Sequence, residues 1–503
     1  MKAKLQRSSG ILLHPTSLPG KYGIGSFNRN AYQWVDFLHS TEQSVWQILP
    51  LGVTGYGDSP YACCSSFAGN PYLISLEELV EKGLLQASEL ESAPSFDDAK
   101  VDFAKVHEWK LPLLRKMAAR NLENAPSEFK KFCKAQSGWL DDFALFRALH
   151  ERYPEQSWNQ WPEALRRREE KAIARARKEQ AELIGVEKYL QWLFFQQWHA
   201  LKAYANGRGV KIFGDLPIFV AGDSSDAWCN PDLFFFDKKM QPTVVAGVPP
   251  DLFSADGQLW GNPLYRWSAH KSTGYAWWKE RMKASFELYD IVRIDHFRGF
   301  AGYWEVKASA KTARVGRWVK GPGAELFKAL EKVVGKGIIV AEDLGLITPD
   351  VTALRDGFEL PGMKILQFGF SCGPTDAFLP HNYTSNFVVY TGTHDNNTVR
   401  GWFENDANAA EKEFFLTYTA SKETVASRTM MRTIMESVAV LAITPLQDLL
   451  DLGKEARMNF PGQVWDNWQW RLLPNQIQAE HMNYLKELTR LYSRDPASAT
   501  KKK

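Results

Sequence analysis

The sequence predicts an α/β protein whose eight parallel strands close into a (β/α)8 (TIM) barrel, with large, mostly helical insertions in the βα loops. Three observations carry the prediction. Short β-rich runs bounded by turn signals occur eight times in order, at 10–13, 45–49, 210–214, 290–294, 338–341, 363–368, 387–391 and 439–443. They alternate with segments of helical character, and eight strand–helix units of that kind close as a barrel around a parallel sheet. Several runs also lead into acids, as in "DIVRIDHFRGF" (290–300), "GIIVAEDLG" (337–345) and "FVVYTGTHDN" (387–396).

Taken in chain order, the first run leads into His14-Pro15, and the second ends just before Pro50. About 160 residues then precede the third run, far more than one crossover helix needs, so residues 65–200 are expected to form a helical insertion. Within it, 76–92, 107–124 and 139–152 read as helices. So does 183–205, where Val186, Tyr189, Leu190, Leu193, Trp198 and Leu201 recur at helical spacing before Gly207 and Gly209 stop the run. The mixed-charge stretch "RRREEKAIARARKE" (166–179) reads as a solvated helix face. Residues 216–289, rich in Pro, Gly, Asp and aromatics, have the composition of structured loops, expected to cover the mouth of the barrel. The whole chain, 1–503, is expected to be one barrel domain ending in a frayed "ASATKKK" tail.

Composition narrows the function. Apolar residues make up 45% and aromatics 13%, enough for a large core, and Lys plus Arg exceed Asp plus Glu by only 61 to 58. That balance calls for neither a nucleic-acid nor an anionic-membrane partner. The 19 tryptophans can fill a core or stack on the apolar faces of sugar rings. Five cysteines, Cys63, Cys64, Cys133, Cys229 and Cys372, form no CxxC pair, which argues against a disulfide framework or a zinc site and for a reducing compartment. The N-terminal apolar run is too short for a signal peptide, and no stretch approaches the ~20 apolar residues of a membrane span. A cytoplasmic location is expected.

In a parallel barrel the residues just past the strands gather on one face. Asp215, Asp295, Glu342 and the pair His394-Asp395 follow strands three, four, five and seven of the predicted eight. Converging acids with a few cations are the equipment of glycosidic bond chemistry, in which one carboxylate attacks or stabilises the anomeric carbon and another protonates the leaving oxygen. Each acid has a structural alternative. Asp295 can pair with Arg293 or Arg298, Glu342 or Asp343 can cap the next segment, and Asp395 can serve an Asx turn. Four strand ends on one face favour the joint chemical reading. His14, His296 and His394 can also ligate a metal, but no HxH or HExxH spacing supports it.

The chain resembles glycoside hydrolase family 77 of the α-amylase clan, the amylomaltases or 4-α-glucanotransferases (disproportionating enzymes). The resemblance runs through "GILLHPTSLPG", "GYGDSPY", "SSFAGNPYLI", "GDLPIFVAGDSSDAW", "GVPPDLFSADGQLWGNPLY", "RIDHFRG", "AEDLG", "GTHDNNT", "MNFPG" and "NWQWR". It implies retaining transfer of α-1,4-glucan segments from a donor maltodextrin to the 4-hydroxyl of glucose or another glucan. Asp295 would be the nucleophile, Glu342 the general acid/base and Asp395 the transition-state stabiliser. Ser59, Tyr61, Asp215, Arg293, His296 and His394 would line the sugar at the cleavage point. Gln258 and Trp260 would sit on the loop over the cleft, Asn467 on the closing segment, and Tyr56 and Phe253 would make more distant glucan contacts.

The residues agree with that division of labour, since Arg293 favours an ionised Asp295, while neighbouring carboxylates favour a protonated Glu342. The partners implied are malto-oligosaccharides, amylose or glycogen-derived dextrins, as donor and acceptor. No cofactor or metal is expected. Ala62 and Cys63-Cys64 stand where the family commonly has glutamine after "DSPY", and Asn397 stands where aspartate is common. Two rivals remain at this point: an α-glucan hydrolase on the same barrel, and a non-catalytic glucan-binding protein, against which the three intact acids count.

Overall fold

The computed structural model describes residues 4–250, 254–335, 337–421 and 425–495. Among these described residues are twelve strands, β1 (Ser8–Leu12), β2 (Val45–Gln47), β3 (Lys211–Pro217), β4 (Val244–Val248), β5 (Gln258–Pro263), β6 (Ile291–Asp295), β7 (Gly302–Lys307), β8 (Gly316–Lys320), β9 (Ile338–Ala341), β10 (Gly362–Ile365), β11 (Phe387–Tyr390) and β12 (Leu441–Pro445). Eight of them form one sheet in the order β10-β11-β12-β1-β2-β3-β6-β9, and every pairing in it is parallel. The two end strands meet through Ala341 N–H donating to the Pro361 carbonyl at 2.8 Å, so the barrel is nearly closed. These eight strands are the eight apolar runs of the sequence. They are buried on both faces, which is why they read as continuous apolar stretches rather than alternating ones.

Boundaries differ where side chains near the mouth override composition. β3 continues through Asp215 to Pro217, so Asp215 lies within the strand rather than after it. β10 stops at Ile365, because residues 366–370 turn into a 3₁₀ segment despite their apolar sequence. Residues 216–289 are not only loops. They contain β4 and β5, which join β7 and β8 in a four-stranded antiparallel sheet of order β5-β4-β7-β8.

Between β2 and β3 the chain forms helices at Phe103–Leu122, Ser127–Ala135, Ser137–Arg152, Glu170–Glu179 and Ala181–Gly207. Asp102 caps the first, accepting from Lys105 N–H at 3.1 Å, so that helix starts earlier than its apolar pattern suggests. In the charged stretch Glu179 takes Arg175 at 2.5 Å and Arg152 at 2.6 Å near the surface, while Arg168 turns inward over the buried Trp228 ring at 4.2 Å. The longest helix braces the segment that follows β2. Buried Gln191 bonds both backbone groups of Gly69, at 2.8 and 2.9 Å, and buried Gln197 accepts from Ser75 N–H at 2.7 Å.

Gly214 shows how tightly the barrel is filled beside Asp215. A Cβ there would fall 2.2 Å from the Tyr289 ring, whose hydroxyl accepts Leu51 N–H at 3.2 Å. Gly214→Ala is therefore expected to destabilise the fold by about 1–3 kcal/mol through overpacking, read as a lowered denaturation midpoint. An unchanged midpoint would contradict this packing.

Candidate active site

Register delivers the acids to one place. Asp215 on β3 pairs with Arg293 on β6, and Pro217 pairs with Asp295. Ile294 pairs with Ala341, so Asp295 and Glu342, the next residue on each chain, are neighbours across adjacent strands. Adjacent strands lie about 4.8 Å apart, so the two acids flank one cleft, as glycosidic bond chemistry requires of its carboxylate pair. Asp395 arrives from the turn after β11, which Asn396 builds by accepting Thr393 N–H and Oγ1–H, both at 2.9 Å.

Arg293 is the hub of the charges. Its buried Nη1 donates to Asp215 Oδ2 at 2.7 Å and to Asp295 Oδ1 at 3.0 Å. Burial alone would lower its pKa, but Asp215 and Asp295 outweigh burial and raise it well above its ordinary value, so Arg293 is a permanent cation. Tyr61 O–H donates to the same Asp215 Oδ2 at 2.7 Å, and burial followed by Asp215 raises its pKa, keeping the phenol protonated. The Tyr61 ring stacks on His394 at 5.1 Å and leans on Trp468 at 5.9 Å.

Glu342 is buried and held at both oxygens, Oε2 accepting His296 N–H at 2.6 Å and Oε1 accepting Leu344 N–H at 2.9 Å. His296 is left-handed, with φ 51°, a conformation that costs a non-glycine residue roughly 1–2 kcal/mol. That turn is where its N–H meets Glu342. Burial and the neighbouring Asp215, Glu342 and Asp395 raise the Asp295 pKa against the pull of Arg293, and burial also raises Glu342. The two acids thus titrate as a pair that retains one proton well above the ordinary carboxylate range. Contacts decide where it sits. Asp295, whose side chain is 30% exposed, bonds directly to a permanent cation, whereas buried Glu342 receives only neutral N–H donors. The proton therefore belongs on Glu342.

The histidines are neutral. Burial lowers His296 to about 4 and His14 to about 3, and it lowers His394 as well. His296 meets the Trp260 indole edge-on at 4.7 Å. Trp260 Nε1–H donates to Gln258 Oε1 at 3.1 Å, so the two cleft-loop residues predicted from sequence are joined on β5. Two buried polar atoms among these residues, Asp215 Oδ1 and His296 Nε2, have no protein partner.

Other predicted residues sit differently. Ser59 Oγ accepts Tyr61 N–H at 3.2 Å, orienting Tyr61 from its own turn. Asn467 is buried and spends its side chain on its own loop, accepting Phe460 N–H and donating to the Gln463 carbonyl, both at 2.9 Å. Phe253 lies outside the described residues, as does the side chain of Tyr56. At the departures from family pattern, Cys63 donates to the Pro60 carbonyl at 3.0 Å, and Asn397 donates to Asp406 at 3.0 Å. Among the described residues no group of three or more His, Cys, Asp or Glu is arranged to hold a metal ion.

Sequence reasoning missed Asn459 and Arg457. Asn459 Nδ2–H donates to Asp395 Oδ1 at 2.6 Å, and Arg457 Nη2–H donates to the Asp395 carbonyl at 2.7 Å. Asn459 lies in "MNFPG", a motif quoted for the resemblance, but no periodicity links it to an acid 64 residues earlier.

Comparison with known proteins identifies the family. Residues 13–476 match the model of glycoside hydrolase family 77, described as 4-alpha-glucanotransferase. The chain is 49% identical over 490 residues to the 4-alpha-glucanotransferase of Thermus thermophilus, covering 95% of this chain and 97% of that protein. It is 48% identical over 493 residues to a 4-alpha-glucanotransferase of Streptococcus pneumoniae, covering 97% and 98%. Among solved structures, the amylomaltase from Streptococcus agalactiae in complex with acarbose superposes with a TM-score of 0.94 at 41% identity, covering 97% of this chain and all of that one. With a near-complete family match joined to four converging acids on a parallel barrel, the chain belongs to glycoside hydrolase family 77, the 4-alpha-glucanotransferases.

Proposed function

We propose that Asp295 is the nucleophile, Glu342 the general acid and base, and Asp395 the transition-state stabiliser of glucan transfer. The observation that carries the assignment is the asymmetry of the pair: Arg293 bonds Asp295 at 3.0 Å, while Glu342 is buried on neutral donors. With Oδ1 engaged by Arg293, Oδ2 of Asp295 attacks C1 of the donor sugar as Glu342 passes its proton to the departing glycosidic oxygen. Glu342 then takes the proton of an acceptor 4-hydroxyl, whose oxygen attacks C1 and releases Asp295. Tyr61, Asp215, His296 and His394 line the sugar, and the unpartnered Asp215 Oδ1 and His296 Nε2 take its hydroxyl groups.

Donors and acceptors are malto-oligosaccharides, amylose or glycogen-derived dextrins, a reading supported by the acarbose complex of the streptococcal neighbour. The setting is cytoplasmic starch, glycogen or maltodextrin metabolism. In support, all five cysteines are free, and no helix among the described residues is long and apolar enough to cross a membrane. Trp260, 38% exposed beside His296, offers an acceptor sugar a stacking surface and narrows the path of water to C1. The test is a chromatogram of products from maltotriose. Longer dextrins and glucose with little net new reducing end are expected, and accumulation of maltose and glucose alone would mean hydrolysis.

A further inference from the structure

We propose that Asn459, anchored by Arg457, is a positioning residue that sets the carboxyl of Asp395 for the transition state. The inference rests on the reading of Asp395 as stabiliser. The turn made by Thr393 and Asn396 fixes the backbone of Asp395, but its side chain is 43% exposed and has two rotatable bonds. His394 Nε2 stands 3.4 Å from Oδ2, too long for a strong restraint. Among the described residues, the one close hydrogen bond to the carboxyl is Asn459 Nδ2–H to Oδ1 at 2.6 Å. It occupies one oxygen and turns the other toward the sugar.

The donor is itself held from several sides. Arg457 Nε–H donates to the Asn459 carbonyl at 2.8 Å while Nη2–H donates to the Asp395 carbonyl at 2.7 Å, so one guanidinium ties the two backbones together. The guanidinium lies over the Phe460 ring at 4.3 Å. Asn467 closes the same loop through Phe460 N–H, and Trp468 N–H donates to the Met458 carbonyl at 2.7 Å. Trp468 then packs on Tyr61 and His394. The buried Asn467 thus serves the site indirectly, by fixing the loop that carries Asn459. A hydrogen-bonded support of this kind matters because a misplacement of about 1 Å at a reacting centre can cost on the order of 100-fold in rate.

The test is a double-mutant cycle of Asn459→Ala and Asp395→Asn, assayed with maltotriose and with α-glucosyl fluoride as donors. In the parent, N459A is expected to lower kcat on the order of 100-fold with little change in KM, and equally for both donors, because Asp395 acts whatever the leaving group. In the D395N background the same change should cost less than about twofold, since the carboxylate that Asn459 positions is gone. Thermal denaturation checks that each variant folds. Equal losses in both backgrounds would mean a merely structural residue and overturn the proposal. A loss confined to maltotriose would mean action through Glu342 and would also overturn it. A D395N enzyme as active as its parent would instead remove the reading of Asp395 itself, and the proposal with it.

Discussion

Replacing Asp295 by Asn should abolish transfer, lowering kcat by a factor on the order of 10⁵ or more with every donor, activated or not. The change keeps size and shape but removes the electron pair that attacks C1, and loss of a covalent nucleophile is among the most costly changes an enzyme can suffer. The local structure should persist, because Arg293 keeps its 2.7 Å bond to Asp215 and so is not left as an unpaired buried cation. Steady-state rates with maltotriose and with α-glucosyl fluoride measure the effect. Retention of more than about one per cent of parental activity would mean that another group attacks.

Glu342→Gln should separate the two halves of the reaction. Loss of a general acid typically costs 10²–10⁴-fold, and here it should fall on maltotriose, whose glycosidic oxygen needs a proton to leave. The first step with α-glucosyl fluoride should be nearly spared. Gln keeps a carbonyl oxygen for one of the two N–H donors, from His296 or Leu344, so the loss should be chemical rather than conformational. The pH dependence carries a sign. Catalysis needs the Asp295–Glu342 pair with one proton, and burial and neighbouring charge raise both groups. The bell of kcat/KM should therefore lie above the ordinary carboxylate range, its acid limb marking protonation of Asp295 and its alkaline limb deprotonation of Glu342. In Glu342→Gln the alkaline limb should vanish from the first step with fluoride as donor. Its persistence would assign that limb to another group.

The barrel was legible because its strands are buried on both faces. "IVRID" and "FVVY" are unbroken apolar runs that only a doubly covered strand tolerates, apart from the charges the site needs. The small antiparallel sheet was not. β5 ("QLWGNP") and β8 ("GRWVK") are largely exposed and carry Gly, Asn and Pro, so neither period nor propensity marks them, and the β4–β7 pairing that joins the two hairpins is distant in sequence. Asp215 was placed just past its strand, rather than within it, for a related reason. A carboxylate usually ends a buried strand, yet here Arg293 and Tyr61 compensate for it inside β3. The acids were readable because strand ends converge by topology, whereas Asn459 and Arg457 reach Asp395 through a loop whose course no local pattern encodes. Asn467 was placed on the right segment but with its bonds turned inward.

The central claim is that the sugar passes through a covalent bond to Asp295. Glu342→Gln fed α-glucosyl fluoride lacks the base that activates an acceptor, so the intermediate should accumulate and survive denaturation long enough for peptide mass spectrometry. The account predicts a glucosyl adduct on the peptide containing Asp295 and no adduct when Asp295→Asn is added. An adduct on Asp395 or Asp215, or a product of inverted anomeric configuration, would contradict it.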